Sequence, residues 1–343
     1  MSSTQKLPSG RWRTRLFIGK DKDGKVYTKS FTADTKRESE FLAHEYQVKN
    51  KIKNTTEILS STPYELCEIY IEQKQKQLSP STVRGYKTCL RTHIVKLKNC
   101  KVSQFNSQRH QKWIDDLSEN LSPKSVKNAN GLLVAAFNHF NVRLDVVSLP
   151  NKEFKPIKVP TTEEVTKIAQ YFADIGNIEM VKAIYLSSIG TLRRGEICGL
   201  MGEDVDRESN EIFVHSAITI NPDGKQIRKA PKTYSSNRKI ELPKFVIDML
   251  PDKGPVVDLH LNTITKLFKK AVRELGMEEY TFHSLRHYAA SIMHAQNVPT
   301  QYIMERGGWK SETTLNRIYR NSLDDWQKKY SDKTNEFFSK NFT

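Results

Sequence analysis

Arg193, Lys232, His283, Arg286, Trp309 and Tyr319 follow one another through the second half of the chain. They bring together potential cations, one indole donor and one phenol, a set suited to attack on a phosphodiester without a metal ion. A diester gathers negative charge on its non-bridging oxygens as a nucleophile adds, so donors fixed in place must meet that charge. Arginine does this best, because its fork stays charged and donates two parallel hydrogen bonds. Lysine is a mobile point charge better fitted to hand a proton to a leaving oxygen. A tyrosine with its ordinary pKa of ~10 is ionised only to about one part in a thousand at pH 7, so it needs a base. His283 is the candidate base. His283 and Arg286 stand three apart and share one helix face. His283 and His287 stand four apart, a spacing that suits metal ligands, but the metalloprotease frame needs Glu where Ser284 stands. No metal or other cofactor is expected at the site.

The elements that must position these residues are legible in outline. Thr161-Thr162-Glu163-Glu164 is a capping-box frame that starts a helix. Val181, Ile184, Tyr185 and Ile189 form a helical apolar stripe that Gly190-Thr191 interrupts, leaving Arg193 in a turn. Glu196 is placed to hold the Arg193 side chain, and Arg194 competes with Arg193 for the same role. Residues 211–220 alternate as one strand, Asn221 to Gly224 makes a turn, and Arg238 to Leu242 reads as the returning strand, with Lys232 in the connection. A helix over 261–275 turns Ile264, Leu267, Phe268, Ala271 and Val272 inward and closes at Gly276. In the next helix Leu285, Ala289 and Ile292 face the core.

The remaining chain points toward a polyanion. Its 343 residues suffice for two or three domains, and its net charge of +16 attracts nucleic acid first of all. No stretch approaches the ~18 apolar residues of a membrane span, and residues 1–10 lack the apolar core of a signal peptide. The four cysteines, Cys67, Cys89, Cys100 and Cys198, include no Cys-x-x-Cys pair, which suits a reducing cytoplasm. Residues 1–55 carry 13 Lys and Arg against 6 Asp and Glu. Within them a strand bearing Arg11, Arg13 and Arg15 on one face, a turn at Asp21 to Gly24, a second strand from Val26 to Phe31 and a helix from about Lys36 to Lys49 make a small sheet-plus-helix domain suited to a major groove. Residues 62–148 read as an all-helical domain, with helix starts at Ser79-Pro80 and Ser122-Pro123. Val83, Tyr86, Leu90 and Ile94 mark one core stripe and Val126, Leu133, Phe137 and Phe140 another. Arg84, Lys87, Arg91, Lys124 and Lys127 remain outward as candidate phosphate contacts. Residues 150–160, with Lys152, Lys155 and Lys158, form a basic linker to a third domain over 161–343.

Taken in order, Gly190-Thr-Leu-Arg193-Arg-Gly-Glu196, Pro231-Lys232-Thr233, His283-x-x-Arg286-His287, Gly308-Trp309 and Thr313-Thr314 followed by Tyr319 resemble the tyrosine recombinases of the phage-integrase kind. Five motifs in sequence are specific where each alone is weak. The resemblance spans roughly residues 161–325 and selects Arg193 over Arg194. It implies a multidomain fold, mainly α with small antiparallel sheets: an arm-site-binding domain, an all-α core-site-binding domain and an α+β catalytic domain. It further implies a Tyr319 nucleophile that forms a 3′-phosphotyrosyl link without metal or ATP, Arg193 and Arg286 on the phosphate, Lys232 as acid and His283 as base. Trp309 stands where histidine is commoner; an indole donates but relays no proton. The partners implied are double-stranded core and arm attachment sites, three further copies in a homo-tetramer, a host DNA-bending protein and an excision factor, all in the cytoplasm of a bacterial host. The tail from Trp326 to Thr343 is a candidate arm, docking on a neighbour or on its own domain. A type IB topoisomerase and a non-catalytic DNA-binding regulator are the rivals. A metal-dependent nuclease would have only the loose set Asp204, Asp206 and Glu211. No P-loop motif is present for an ATP-driven role.

Overall fold

The structure is a computed structural model that describes residues 2–20, 26–151, 157–229, 237–277 and 279–319, with 331–332, 334–336 and 338–340. Lys232, the turn expected at Asp21 to Gly24, the centre of the basic linker and most of the tail lie outside them. The chain divides into two compact units, residues 1–79 with 85–152, and residues 153–343 with 80–84.

The first unit opens with the antiparallel sheet β1 (Ser2–Lys6), β2 (Trp12–Lys20) and β3 (Val26–Ala33), in that order. Alternation in β2 buries Thr14 and Leu16. Arg15 on the opposite face is exposed and Arg13 half-buried. Thr14 joins Ser39 of helix α1 (Lys36–Ser60) through a 2.9 Å hydroxyl contact. Arg11 precedes the strand and pairs with Asp34 at 2.8 Å. The helix expected to end near Lys49 runs on to Ser60, because no Gly or Pro interrupts the chain before Pro63. Helices α2 (Pro63–Lys74), α3 (Pro80–Thr92, of which residues 85–92 fall in this unit), α4 (Ser107–Ser118) and α5 (Pro123–His139) follow. Thr62 with Glu65 and Ser122 supply caps before the prolines of α2 and α5. Leu66, Ile71, Ile94, Ile114, Leu117, Leu132, Leu133 and Phe137 are almost wholly buried.

The second unit holds α6 (Thr162–Asp174), α7 (Ile178–Ser188) and α8 (Arg194–Gly199). Strands β4 (Val205–Asp206), β5 (Glu211–Val214), β6 (Ala217–Ile220), β7 (Gln226–Lys229) and β8 (Arg238–Glu241) come next. Helices α9 (Lys244–Asp248), α10 (Leu261–Glu274), α11 (Phe282–Ala295), α12 (Thr300–Gly307) and α13 (Glu312–Tyr319) complete it. The single strand expected over 211–220 is two. β5 joins the sheet β4-β5-β8, whereas β6 pairs with β7, a strand the sequence reading missed. At the break, 215 and 216 belong to neither ladder; there His215 contacts Asp204 at 2.7 Å and Ser216 donates to the Gly199 carbonyl at 2.8 Å. One apolar core, including Ile168, Phe172, Ile184, Leu192, Ile197, Ile240, Ile264, Phe268 and Leu285, ties helices and sheets together. Burying such side chains stabilises the unit by about 1.5–3 kcal/mol each.

Candidate active site

Helix α7 ends at Ser188, and the backbone then passes through Thr191 in the left-handed region, at φ 60°. A β-branched residue there costs roughly 1–2 kcal/mol, which the Thr191 hydroxyl helps offset by donating to the Arg306 carbonyl at 3.0 Å. The turn delivers Arg193 to the N-cap of α8. Its backbone N–H donates to Glu196 Oε2 at 2.9 Å, its Nη1 to Glu196 Oε1 at 2.7 Å and its Nη2 to the Gly308 carbonyl at 2.8 Å. Arg194 diverges and donates to the Thr265 hydroxyl. The two arginines left open by spacing therefore take separate partners.

Glu196 is shared. Arg238 of β8 donates from Nη2 to Glu196 Oε2 at 2.8 Å and from Nε to the Arg306 carbonyl at 2.8 Å. Burial pushes the Glu196 carboxyl up, but the hydrogen bond and charge of Arg238, joined by Arg193, outweigh it and hold the pKa at about 2. Glu196 is thus an anion between two cations.

Arg286, on α11, is 1% exposed. It donates from Nη1 to the Thr191 carbonyl and from Nη2 to the Gly307 carbonyl, while its Nε is buried with no partner among the described residues. Burial first, then the charge of Arg193, lowers its pKa, yet a guanidinium starts so high that it stays charged at neutral pH. The Trp309 ring lies over it, 3.9 Å from guanidinium carbon to ring centroid, a cation–π stack. A Cβ on Gly307 would sit 1.8 Å from Trp309 Cζ3, so glycine is required beside the indole.

His283 is exposed on α11, a turn before Arg286. Its ring meets that of His287 edge to face at 4.6 Å. Crowding of its inner side, then the charges of Arg286 and Arg193, lowers its pKa to about 4, so the imidazole is neutral at pH 7. Burial, His283 and Arg286 place His287 at about 4 as well. Among the described residues no cluster of metal-ligating side chains is found. The loose carboxylate set has ordinary partners: Asp204 contacts His215, Asp206 accepts from the Glu208 and Ser209 backbones, and Glu211 pairs with Lys239 at 3.1 Å.

Tyr319 is the last residue of α13, and its side chain lies outside the described residues. The helix is anchored by Leu315, fully buried in a cluster with Ala290 of α11 and Ile303 of α12. Of the expected site, Arg193, Glu196, Arg286, His283 and Trp309 are brought together. Arg84, Lys87, Arg91, Lys124 and Lys127 are exposed on their helices. Arg238 was missed, although it shares strand parity with the buried Ile240 and Leu242. A cation on the apolar parity of a strand signals a buried acidic partner.

Residues 158–325 match the model of the phage integrase family, and residues 62–118 match the N-terminal SAM-like domain of phage integrases. The chain is 27% identical to a XerC-like tyrosine recombinase of Caldanaerobacter subterraneus subsp. tengcongensis, over 90% of this chain and 91% of that one. It is 23% identical to the integrase of Staphylococcus phage L54a, over 80% and 93%. Its fold is similar to that of lambda integrase, solved as a tetramer bound to a Holliday junction, with TM-score 0.60 at 16% identity over 93% and 95% of the chains. The chain belongs to the phage integrase family of tyrosine recombinases.

Proposed function

We propose that this protein is a site-specific recombinase that cleaves and rejoins DNA through a 3′-phosphotyrosyl intermediate, integrating and excising a mobile element. One observation carries the reading. Arg193 and Arg286, distant in sequence, are fixed on the adjacent carbonyls of Gly308 and Gly307, in the turn that leads into the helix ending at Tyr319. That arrangement is a preorganised anion site beside the chain segment bearing a nucleophile.

The Tyr319 phenol oxygen bonds to the scissile phosphorus as the bond to the 5′-oxygen breaks. His283, neutral at pH 7, accepts the phenol proton directly or as part of a relay, and Lys232 protonates the departing 5′-oxygen. The remaining N–H groups of Arg193 and Arg286 receive the charge on the non-bridging oxygens. Trp309 holds the Arg286 plane and lends its indole N–H to the phosphate. Attack by the 5′-hydroxyl of another strand reverses the step, and the bond energy is retained in the ester, so no ATP is consumed. Two rounds exchange two duplexes through a four-way junction. The tetrameric lambda relative supports four protomers acting together. The exposed Arg15 and half-buried Arg13 of the sheet suit an arm site, with Arg11 beside them, and Arg84, Lys87, Arg91, Lys124 and Lys127 suit the core site. A host bending protein and an excision factor complete the assembly in the bacterial cytoplasm. Among the described residues no helix is long and apolar enough to cross a membrane.

The test incubates the protein with nicked attachment-site duplex in EDTA and resolves the products on a denaturing gel. A covalent adduct with wild type, and none with Tyr319→Phe, is the expected result. Cleavage that needs metal and leaves no adduct rejects the reading, and so does binding that Tyr319→Phe leaves whole with no cleavage by either protein.

A further inference from the structure

Three consecutive carbonyls at the C-terminal end of α12 each receive a different arginine: Arg306 from Arg238, Gly307 from Arg286 and Gly308 from Arg193. The last carbonyls of a helix carry its negative end and lack partners within the helix. Gly308, at φ 62°, closes the helix with Trp309 N–H donating back to the Met304 carbonyl at 2.9 Å. Arg193 and Arg286 face the proposed phosphate site. Arg238, buried like Arg286, has different partners: its fork is divided between the Glu196 carboxylate and the Arg306 carbonyl.

We propose that Arg238 is a positioning residue for strand cleavage, joining Glu196, and through it the Arg193 guanidinium, to the carbonyl turn that also orients Arg286. This deepens the recombinase reading and rests on it. Without Arg238, Glu196 has one cation in place of two and the Arg306 carbonyl loses a donor. Arg193 then turns wholly toward Glu196 and away from a phosphate. A hydrogen bond from each end of one planar fork sets the angle between Glu196 and the turn, which a lysine, with a single nitrogen, cannot reproduce.

The experiment compares full-length wild type, Arg238→Met and Arg238→Lys on a nicked attachment-site duplex carrying either a phosphodiester or a methylphosphonate at the scissile position. A methylphosphonate lacks the non-bridging charge that Arg193 is placed to meet, so a defect of aim shrinks on it and a defect of folding does not. Arg238→Met should form adduct on the phosphodiester about 10- to 100-fold more slowly, the cost typical of losing a group that orients a ligand from behind. The deficit should fall to about threefold or less on the methylphosphonate, where charge stabilisation matters little. Arg238→Lys should lie between Arg238→Met and wild type. Wild-type rates in Arg238→Met, or an equal deficit on both substrates, overturn the positioning role while wild-type adduct leaves the recombinase reading standing. Absence of adduct from wild type overturns both. Thermal unfolding identifies a variant that fails to fold; if Arg238→Met does, Arg238→Lys takes its place in the same two-substrate comparison.

Discussion

At His283 the charge of the pocket decides the chemistry. The proposed base role requires an unprotonated ring at neutral pH, and crowding together with Arg286 and Arg193 lowers the His283 pKa to about 4. The folded protein holds the His283 proton less tightly than an unfolded chain would, so the ring is neutral above about pH 4. A phosphodiester in the pocket adds a negative charge that offsets the two guanidiniums, and the pKa must climb on DNA binding. The NMR titration of the His283 ring should show a midpoint near 4 in the free protein and a higher one with Tyr319→Phe bound to attachment-site DNA. A free midpoint at the ordinary 6.5, or no rise with DNA, contradicts this electrostatic picture. The residue types of this site were legible because few combinations of arginine, histidine and tyrosine recur in that order. Arg238 was not, because its partner Glu196 lies 42 positions away in sequence and on a different element. The stack of Trp309 on Arg286 also depends on a tertiary turn that spacing does not reveal.

Helix α12 and the turn after it position more of the site than any other element. Its terminal carbonyls hold three arginines, and Gly307 leaves the space the Trp309 ring fills. A methyl group at Gly307 must push the indole away from Arg286, since 1.8 Å is far inside van der Waals contact. Gly307→Ala should therefore slow adduct formation by about 30-fold, as expected if a desolvated cation–π contact of ~2 kcal/mol is lost, while DNA affinity changes little. Single-turnover cleavage beside a binding isotherm checks this, and an unchanged cleavage rate would mean that the stack contributes nothing. At this scale the long amphipathic helices are legible in the sequence, because their period is local. Strands β5 and β6 read as one in the sequence because alternation persists through 215 and 216. The tertiary pairing shows that the chain changes sheets there, where His215 and Ser216 bond to Asp204 and Gly199. Helix α1 continues past Lys49 through a stretch in which no Gly or Pro stands.

Over the whole molecule, a charge of +16 on 343 residues sets the ionic-strength response. If about six to ten phosphates are neutralised, affinity should fall about 10³- to 10⁵-fold between roughly 50 and 200 mM salt. Fluorescence anisotropy with attachment-site duplex measures the slope, and a flat response would argue that the basic surface does not meet DNA. The mainly helical architecture with small sheets was legible because periodicity and caps are properties of short segments. The grouping of the sheet-plus-helix piece and the helical block into one compact unit depends on packing that no local pattern encodes. The proposed intermediate is a single covalent bond between Tyr319 and DNA. Its most direct measurement traps the adduct on nicked attachment-site DNA, trims the DNA with nuclease, digests the protein with trypsin and locates the nucleotide by mass spectrometry. The modification should fall on Tyr319, in the peptide Ile318-Tyr319-Arg320. A nucleotide on any other residue, or a cleaved strand with no peptide attached, contradicts it.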